Sequence, residues 1–253
     1  MTTGVRGTGD FCWINMLTPE PKAACDFFAA VLGWTYDEIP GMGYTVKVGG
    51  AEIGGLFAAP PGHQPQIGVM VKVENADATG TRVQELGGRA QPAFDIGDRL
   101  RMAVCFDPNG VEFDIWESKS AAGTRIDSRT PGAPSWFEAI APGVDRAVSF
   151  YGALFGWTFA SAPIAEQPGE SYTTIRRGDR PIGGLLELTP RMTGLEPQWA
   201  SYFTVADADA TVATALRLGA IQGFPVRAVA GVGRICALAS PQGVMFYVLE
   251  LAA

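Results

Sequence analysis

The sequence predicts an α+β protein built from two tandem copies of one module, each a curved mixed sheet with helices on its outer face. The first observation is a long repeat. The block WINMLTPEPKAACDFFAAVLGW, which starts at Trp13, returns without a gap as WFEAIAPGVDRAVSFYGALFGW from Trp136. The second is that shorter blocks return in the same order, IGGL at Ile53 and again at Ile182, then DPNGVEF as SPQGVMF. A repeat of this length indicates two copies of one small domain.

The domain boundaries follow from the repeat and from a change of composition. The segment SKSAAGTRIDSRTPGAP is polar and rich in Gly, Pro and Ser, which is typical of a linker. We therefore assign residues 1–117 to the first module, 118–134 to the linker and 135–253 to the second module. The chain of 253 residues is 47% hydrophobic, so each module can bury a core of its own.

Each module is predicted to open with a short strand and a helix. The strands lie at 11–17 and 135–140, and Thr18 is expected to cap the first helix with Pro19 as its first residue. Apolar residues at helical spacing follow in both copies, and Gly33 and Gly156 are expected to end these helices. The remaining predicted elements are strands at 44–48, 53–57, 66–73, 101–106 and 111–117, a helix at 76–86, and their counterparts in the second copy.

Strand alternation divides each sheet into two faces. In the strand 111–117 the apolar residues at odd positions should pack under the helices, which leaves Glu112, Asp114 and Trp116 on the inner face. Applied to three strands of each copy, this rule assigns to the inner face Trp13, Asn15, Gln66, Gly68, Met70, Lys72, Glu112, Asp114, Trp116, Trp136, Glu138, Gln198, Ala200, Tyr202, Thr204, Met245, Tyr247 and Leu249. Such a mixture of aromatic, amide and carboxylate groups suits a small-molecule pocket. The alternative is that this face is solvent-exposed, with its aromatic residues buried between the copies.

The order of these signals resembles one known family. The helix ends FF…LGW and FY…FGW, the later alternating strand and the DPNG hairpin are together similar to the glyoxalase/bleomycin-resistance/extradiol-dioxygenase family, the vicinal oxygen chelate superfamily. The resemblance covers almost the whole chain, twice, and looks closest to tandem two-module members of the glyoxalase-like "hydroxylase" subgroup. It implies paired βαβββ units in each module, whose curved sheets enclose a cleft.

The resemblance also implies where a divalent metal would bind, and the residues found there are poor ligands. The first-strand position falls on Trp13 and Trp136, the middle-strand position near Gly68 and Ala200 or at Gln66 and Gln198, and the last-strand position on Asp114 and Tyr247. Trp, Gly and Ala cannot bind a metal and Tyr rarely does. The single histidine, His63, lies in a predicted loop. We expect no cofactor, and a divalent metal held by Asp114, Glu138 and a glutamine is the alternative.

Two functions from different classes remain open at this stage. The first is a metal-free small-molecule binding protein that holds an aromatic or polar organic ligand, with Trp13, Asn15, Gln66, Trp116, Trp136, Gln198, Tyr202 and Tyr247 as its binding residues. The second is an enzyme of the family, a lyase, isomerase or dioxygenase. It would use a metal or the cleft carboxylates Glu138 and Asp114 as acid and base, with Glu112 and Tyr247 as weaker candidates.

For both carboxylates, Glu138 and Asp114, the competing interpretation is a solvated side chain or one that forms a salt bridge with Arg101, Arg234 or Lys72. A third possibility is a structural or interaction module that uses its exposed faces.

The net charge and the cysteines limit the classes of partner and the compartment that we expect. A net charge of −7 argues against nucleic acid or an anionic membrane surface. The four scattered cysteines predict buried free thiols and, with no apparent signal segment, a cytoplasmic location. The expected partner is a small molecule. We expect a monomer that contains an internal pseudo-dimer, with a homodimer as the open alternative.

Overall fold

A computed structural model describes residues 4–164 and 167–252. In the first module the elements are β1 (Phe11–Thr18), α1 (Pro21–Leu32), β2 (Thr35–Ile39), β3 (Gly43–Val48), β4 (Ala51–Ala58), β5 (Gln66–Val73), α2 (Ala76–Glu85), β6 (Arg89–Ala90), β7 (Phe94–Ile96), β8 (Leu100–Phe106) and β9 (Glu112–Ser118). In the second they are β10 (Pro134–Ala141), α3 (Val144–Phe155), β11 (Thr158–Pro163), β12 (Ser171–Arg177), β13 (Arg180–Glu187), β14 (Gln198–Val205), α4 (Ala208–Arg217), β15 (Ile221–Gln222), β16 (Arg227–Val229), β17 (Gly233–Ala239) and β18 (Met245–Leu251).

The two modules have the same topology. The first sheet has the strand order β2-β3-β4-β1-β5-β9-β8-β6 with β7 paired to β8, and the second sheet repeats this order with β11 to β18. The two central strands of each sheet are the first strands of two βαβββ units, and they pair antiparallel. The predicted fold class is therefore confirmed: each module consists of two βαβββ units joined in one curled mixed sheet.

The helix-bearing faces of the two sheets share one hydrophobic core. Phe28 of α1 contacts Phe246 of the second sheet with ring centroids 5.0 Å apart, and Tyr151 of α3 contacts Phe113 of the first sheet at 5.5 Å. Each first helix therefore contacts the sheet of the other module. Since the convex faces pack together in this way, the concave face of each sheet is left free to form a cleft of its own.

Two indole groups tie the modules together at equivalent positions. Trp34 Nε1 donates to Gly132 O and Trp157 Nε1 donates to Gly9 O, each at 2.8 Å. These tryptophans follow the two helix-ending glycines predicted from the sequence, Gly33 and Gly156, which are left-handed as expected.

Two local predictions need correction, and the predicted linker has contacts that the sequence did not show. Helix α1 begins at Pro21 rather than after Thr18, because β1 continues through Thr18 and Glu20 takes the position before the helix. The edge strands β2 and β11 were not predicted, since neither has a regular apolar alternation. The linker 118–134 is packed against the second module: Thr124 and Ser128 within it are buried, and Thr204 Oγ1 donates to Ser128 O at 2.6 Å.

The cysteine prediction holds in the described residues. Cys12, Cys25, Cys105 and Cys236 are all free and buried. No described helix is long and apolar enough to cross a lipid bilayer.

Candidate ligand-binding clefts

The concave faces carry two separate clusters of side chains. In the first module Cys12, Met70, Leu100, Met102 and Trp116 are buried together, with Trp13 packed against them. In the second the buried members are Ile140, Ala200, Tyr202, Ile235, Ala237, Tyr247 and Leu249, with Trp136 packed against them. Several predicted inner-face residues thus group together on each sheet: Trp13, Met70 and Trp116 on the first, and Trp136, Ala200, Tyr202, Met245, Tyr247 and Leu249 on the second.

In the second module one buried carboxyl lies among aromatic side chains. Glu138 is 6% exposed, and the Tyr202 hydroxyl donates to its Oε1 at 3.1 Å. The Tyr172 hydroxyl is a second hydrogen-bond partner of Glu138 and accepts from Trp136 Nε1 at 2.7 Å. A chain of hydrogen bonds therefore runs from a half-buried indole at the cleft surface to a buried carboxyl.

The aromatic wall of this cleft continues beyond the carboxyl. The rings of Tyr202 and Tyr247 lie 4.7 Å apart, and neighbouring strands bring these residues into register. Met192 and Leu195, from the segment between β13 and β14, pack over the same cluster and are half-buried. The cleft of the second module is therefore largely covered by its own side chains.

Burial sets the ionisation of Glu138. Loss of hydration raises its pKa above the usual range of a glutamic acid, and the hydrogen bonds from Tyr172 and Tyr202 and the charge of Arg227 oppose this shift. Arg227 is exposed and its guanidinium lies over the Phe224 ring at 4.9 Å. The positive charge that lowers the pKa of Glu138 thus belongs to an exposed arginine that does not form a direct ion pair with it in the described residues.

The first module places its buried carboxyl on a different strand. Asp114 of β9 is 3% exposed, and within residues 4–164 and 167–252 its Oδ1 has no hydrogen-bond partner. Burial, with the nearby Glu112, raises the pKa of Asp114 to about 8, and a hydrogen bond from Asn15 opposes the shift. Asp114 is therefore mostly protonated at neutral pH.

A glycine keeps the space beside Asp114 open. Gly68 is half-exposed, and a Cβ built on it would lie 3.9 Å from Asp114 Oδ2 and 3.5 Å from Asn15 O. The equivalent residue of the second module is Ala200, which is 1% exposed. The cleft of the first module therefore reaches solvent at a point where that of the second is closed.

Polar and aromatic side chains flank Asp114 on its two sides. Gln66 Nε2 donates to Glu112 Oε1 at 2.6 Å, and His63 Nε2 lies 3.7 Å from Glu112 Oε2. On the other side the rings of Trp13 and Trp116 are 5.2 Å apart. The loop histidine thus contacts the same carboxylate that the predicted binding residue Gln66 contacts.

The ten candidate site residues do not form one site. Trp13, Asn15, Gln66, Asp114 and Trp116 belong to the first sheet, whereas Trp136, Glu138, Gln198, Tyr202 and Tyr247 belong to the second. Asp114 and Glu138 therefore do not face each other as an acid and base pair. The Gln198 side chain donates to Glu196 O at 3.4 Å.

The salt-bridge interpretation of the two carboxylates is wrong. Arg101 pairs with Asp77 and Asp95, and Arg234 pairs with Asp209 and Glu250. The Lys72 ammonium donates to Ala122 O at 3.1 Å. Each proposed cation thus has another partner.

Sequence reasoning missed Tyr172. Its hydroxyl occupies the space above Gly184, where a Cβ would lie 1.9 Å from the hydroxyl oxygen. The signal was present in the repeat, since Tyr172 pairs with Leu186 as Tyr44 pairs with Leu56 in the first module. Which of the two tyrosines reaches the cleft is decided by the packing of each module.

Comparisons with known proteins agree with this architecture. A family model described as a glyoxalase-like domain matches residues 13–116. The protein named "Putative glyoxylase CFP32" of Mycobacterium tuberculosis is 34% identical over 248 residues, which cover 94% of this chain and 93% of the relative. The anthracycline biosynthesis protein DnrV of Streptomyces peucetius is 31% identical, over 94% of this chain and 92% of its own length.

The chain is a two-module member of the vicinal oxygen chelate superfamily. Solved structures show the same fold. The Mn(II)-bound glyoxalase from Novosphingobium aromaticivorans has a TM-score of 0.66 at 17% identity, and covers 98% of this chain and 83% of its own. A substrate complex of homoprotocatechuate 2,3-dioxygenase from Brevibacterium fuscum also has a TM-score of 0.66, at 12% identity, over 99% of this chain and 82% of its own.

The residues of this member do not fit the divalent metal that the fold implies. The positions that the resemblance assigns to metal ligands carry Trp13, Asp114 and either Gly68 or Gln66 in the first sheet. In the second sheet they carry Trp136, Tyr247 and either Ala200 or Gln198. The first set offers at most two good oxygen ligands, Asp114 and Gln66, and the second at most one, Gln198, whereas a protein metal site needs about three. In the described part of the chain no three His, Cys, Asp or Glu side chains group as a metal site would require.

Proposed function

We propose that this superfamily member binds a planar aromatic organic molecule in the cleft of the second module, without a metal ion. The observation that carries the proposal is the buried carboxyl of Glu138 among Trp136, Tyr172 and Tyr202. Aromatic faces hold a planar ligand by stacking, and a buried carboxyl with tyrosine neighbours can orient one polar group of that ligand.

The covering segment offers a route for the ligand. Trp136 and Tyr172 are half-exposed, whereas Tyr202 and Tyr247 beneath them are buried. Met192 and Leu195 lie over the cluster from a segment outside the sheet. A methionine side chain adapts to different shapes at little cost, so these residues can repack on a bound ring system.

The relatives support an aromatic ligand. DnrV, at 31% identity, is named for anthracycline biosynthesis, and anthracyclines contain a planar fused ring system. The resemblance spans both modules and therefore includes the cleft of the second. We take this as support for the class of ligand and not for a particular compound.

The test is binding of a planar probe, 1,8-dihydroxyanthraquinone, followed by quenching of tryptophan fluorescence. We expect Trp136→Ala to weaken binding at least about tenfold, because loss of a stacking indole removes roughly 1.4 kcal/mol or more. The matched control is Trp13→Ala, the equivalent position in the first module, which should leave the affinity unchanged. Unchanged affinity in a folded Trp136→Ala protein, or a loss in Trp13→Ala instead, would overturn the assignment.

An enzymatic function is the second candidate, because the raised pKa of Glu138 brings it towards the range of a general acid or base. Glu138→Gln separates the two functions, since the amide keeps the shape but cannot transfer a proton. An enzyme should lose turnover of the probe, followed by product mass, and keep its binding. A binding protein should show no turnover in either form.

Metal independence has its own measurement, native mass spectrometry of protein purified without added metal or chelator. We expect the mass of the bare chain, unchanged after incubation with nickel, zinc, manganese and iron(II). A stoichiometric adduct would contradict the metal-free proposal and favour a lyase or dioxygenase.

A further inference from the structure

A cavity of about 360 Å³, open to solvent on one side, lies between strands of the first module and the linker, and no residue of the second module lines it. Its walls come from three parts of the chain: the start of β4, the turn before β8 and the linker. The lining residues are Ala51, Glu52, Arg99, Ser120, Ala121, Ala122, Gly123 and Arg125. A volume of this size is within the range of small-molecule sites.

The linker is fixed in place where it forms this wall. Thr124 N donates to Cys12 O at 2.8 Å, and Ala121 N donates to Arg99 O at 3.0 Å. Gly123 is left-handed, and a Cβ on it would approach Cys12 O to 3.0 Å, so the linker passes close to β1. The cavity is therefore formed before any ligand binds, which lowers the cost of binding.

The charges that line the cavity do not balance. Arg99 NH2 is 2.7 Å from Glu52 Oε2, so the single lining carboxylate already has a cationic partner. Arg125 is exposed, and the described residues provide no ion-pair partner for it. Behind the wall, the Lys72 ammonium contacts Ala122 O at 3.1 Å. In a chain of net charge −7, this is a local excess of positive charge.

Apart from Ser120, the remaining lining residues are small and carry no polar side-chain group, and one of them contacts the aromatic cluster. Ala51, Ala121 and Ala122 contribute methyl groups, and Ala121 also packs against the cluster that contains Trp13 and Trp116. A ligand here would therefore meet both guanidinium groups and small apolar groups.

We propose that this cavity binds a small organic anion, a molecule with one carboxylate or phosphate group and an apolar body. Arg125 is the anchor of the anionic group, with Arg99 beside it, and the alanine wall holds the body. Guanidinium groups form paired charge-assisted hydrogen bonds with both kinds of anion. The site does not depend on the proposed ligand of the second module.

The experiment is calorimetric titration of the full chain with phenyl phosphate and with benzoate, and with neutral benzamide as the comparison ligand. We expect both anions to bind and benzamide to bind at least about tenfold more weakly, because it lacks the charge-assisted contact. Added NaCl should weaken the anions alone. The ratio of phenyl phosphate to benzoate affinity then identifies which anionic group the cavity prefers.

Two variants with opposite expected effects make the test specific. Arg125→Gln should weaken both anions about tenfold, and Glu52→Gln should strengthen them severalfold because it frees Arg99. The control is Arg129→Gln, an exposed linker arginine that does not line the cavity and should change affinity less than about twofold. The proposal is overturned if no anion binds at 10 mM (about the weakest useful affinity), if benzamide binds equally well, or if Arg125→Gln has no more effect than Arg129→Gln.

Discussion

The two modules share a topology, but their clefts are built differently. In the first module the buried carboxyl is Asp114 on the last strand, one of its oxygens has no partner in the described residues, and Gly68 leaves the neighbouring space open. In the second the carboxyl is Glu138 on the first strand, two tyrosines bond to it, and Ala200 is covered. The same sheet topology can thus hold a carboxyl that is hydrogen-bonded in a covered cleft, or one with an oxygen that is unpaired among the described residues in a more open cleft.

The largest expected effect concerns pH. The pKa of folded Asp114 is about 8, above that of an unfolded aspartate, so its contribution to stability is complete below about pH 4 and is lost as pH rises through 8. Each unit of difference corresponds to about 1.4 kcal/mol, so the loss should reach several kcal/mol. Urea unfolding from pH 4 to pH 8.5 should show this decline, and Asp114→Asn should flatten it.

The same titration compares the two carboxyls. The folded pKa of Glu138 is also raised, so the sign of its effect is the same, but hydrogen bonds from Tyr172 and Tyr202 oppose the shift. Glu138→Gln should therefore flatten the decline less than Asp114→Asn does. If Glu138→Gln flattened the loss of stability as much as Asp114→Asn or more, the proposed difference between the two carboxyls would be contradicted.

A smaller effect is expected from the hydroxyl of Tyr172. Tyr172→Phe leaves Trp136 Nε1 without its acceptor and removes one donor from Glu138, which should cost about 1–2 kcal/mol. Tyr44→Phe is the matched control at the equivalent position of the first module, where the loss should stay within about 0.5 kcal/mol. Thermal unfolding of both variants measures the difference, and similar losses would contradict it.

The smallest expected effect concerns the methyl group by which Ala200 differs from its counterpart Gly68. The contacts of a Cβ at Gly68 are at ordinary distances, so Gly68→Ala should be neutral or stabilise by less than about 1 kcal/mol. Ala200→Gly should destabilise by about 1 kcal/mol, because it removes a buried methyl and adds backbone freedom. If Gly68→Ala were the more harmful change, the space beside Asp114 would not be open.

Much of the fold could be predicted from local pattern. The repeat gave the module count, and the alternation of Val111, Phe113 and Ile115 assigned the face on which Asp114 lies. Helix and strand ends were less certain, as at Thr18, because capping and strand extension compete over one or two residues. The sequence also could not show that the segment 118–134 is packed, since its composition is that of a flexible linker.

The sequence by itself determined that two equivalent modules exist, and it predicted that each inner face is mixed in character. These follow from periodicity and residue identity, which are local. Only the tertiary structure decided that Asp114 and Glu138 belong to separate sheets, that Tyr172 bonds to a carboxyl, and that the linker lines a cavity with Arg125. These outcomes depend on how the two convex faces pack together, and hence on contacts between residues far apart in the chain.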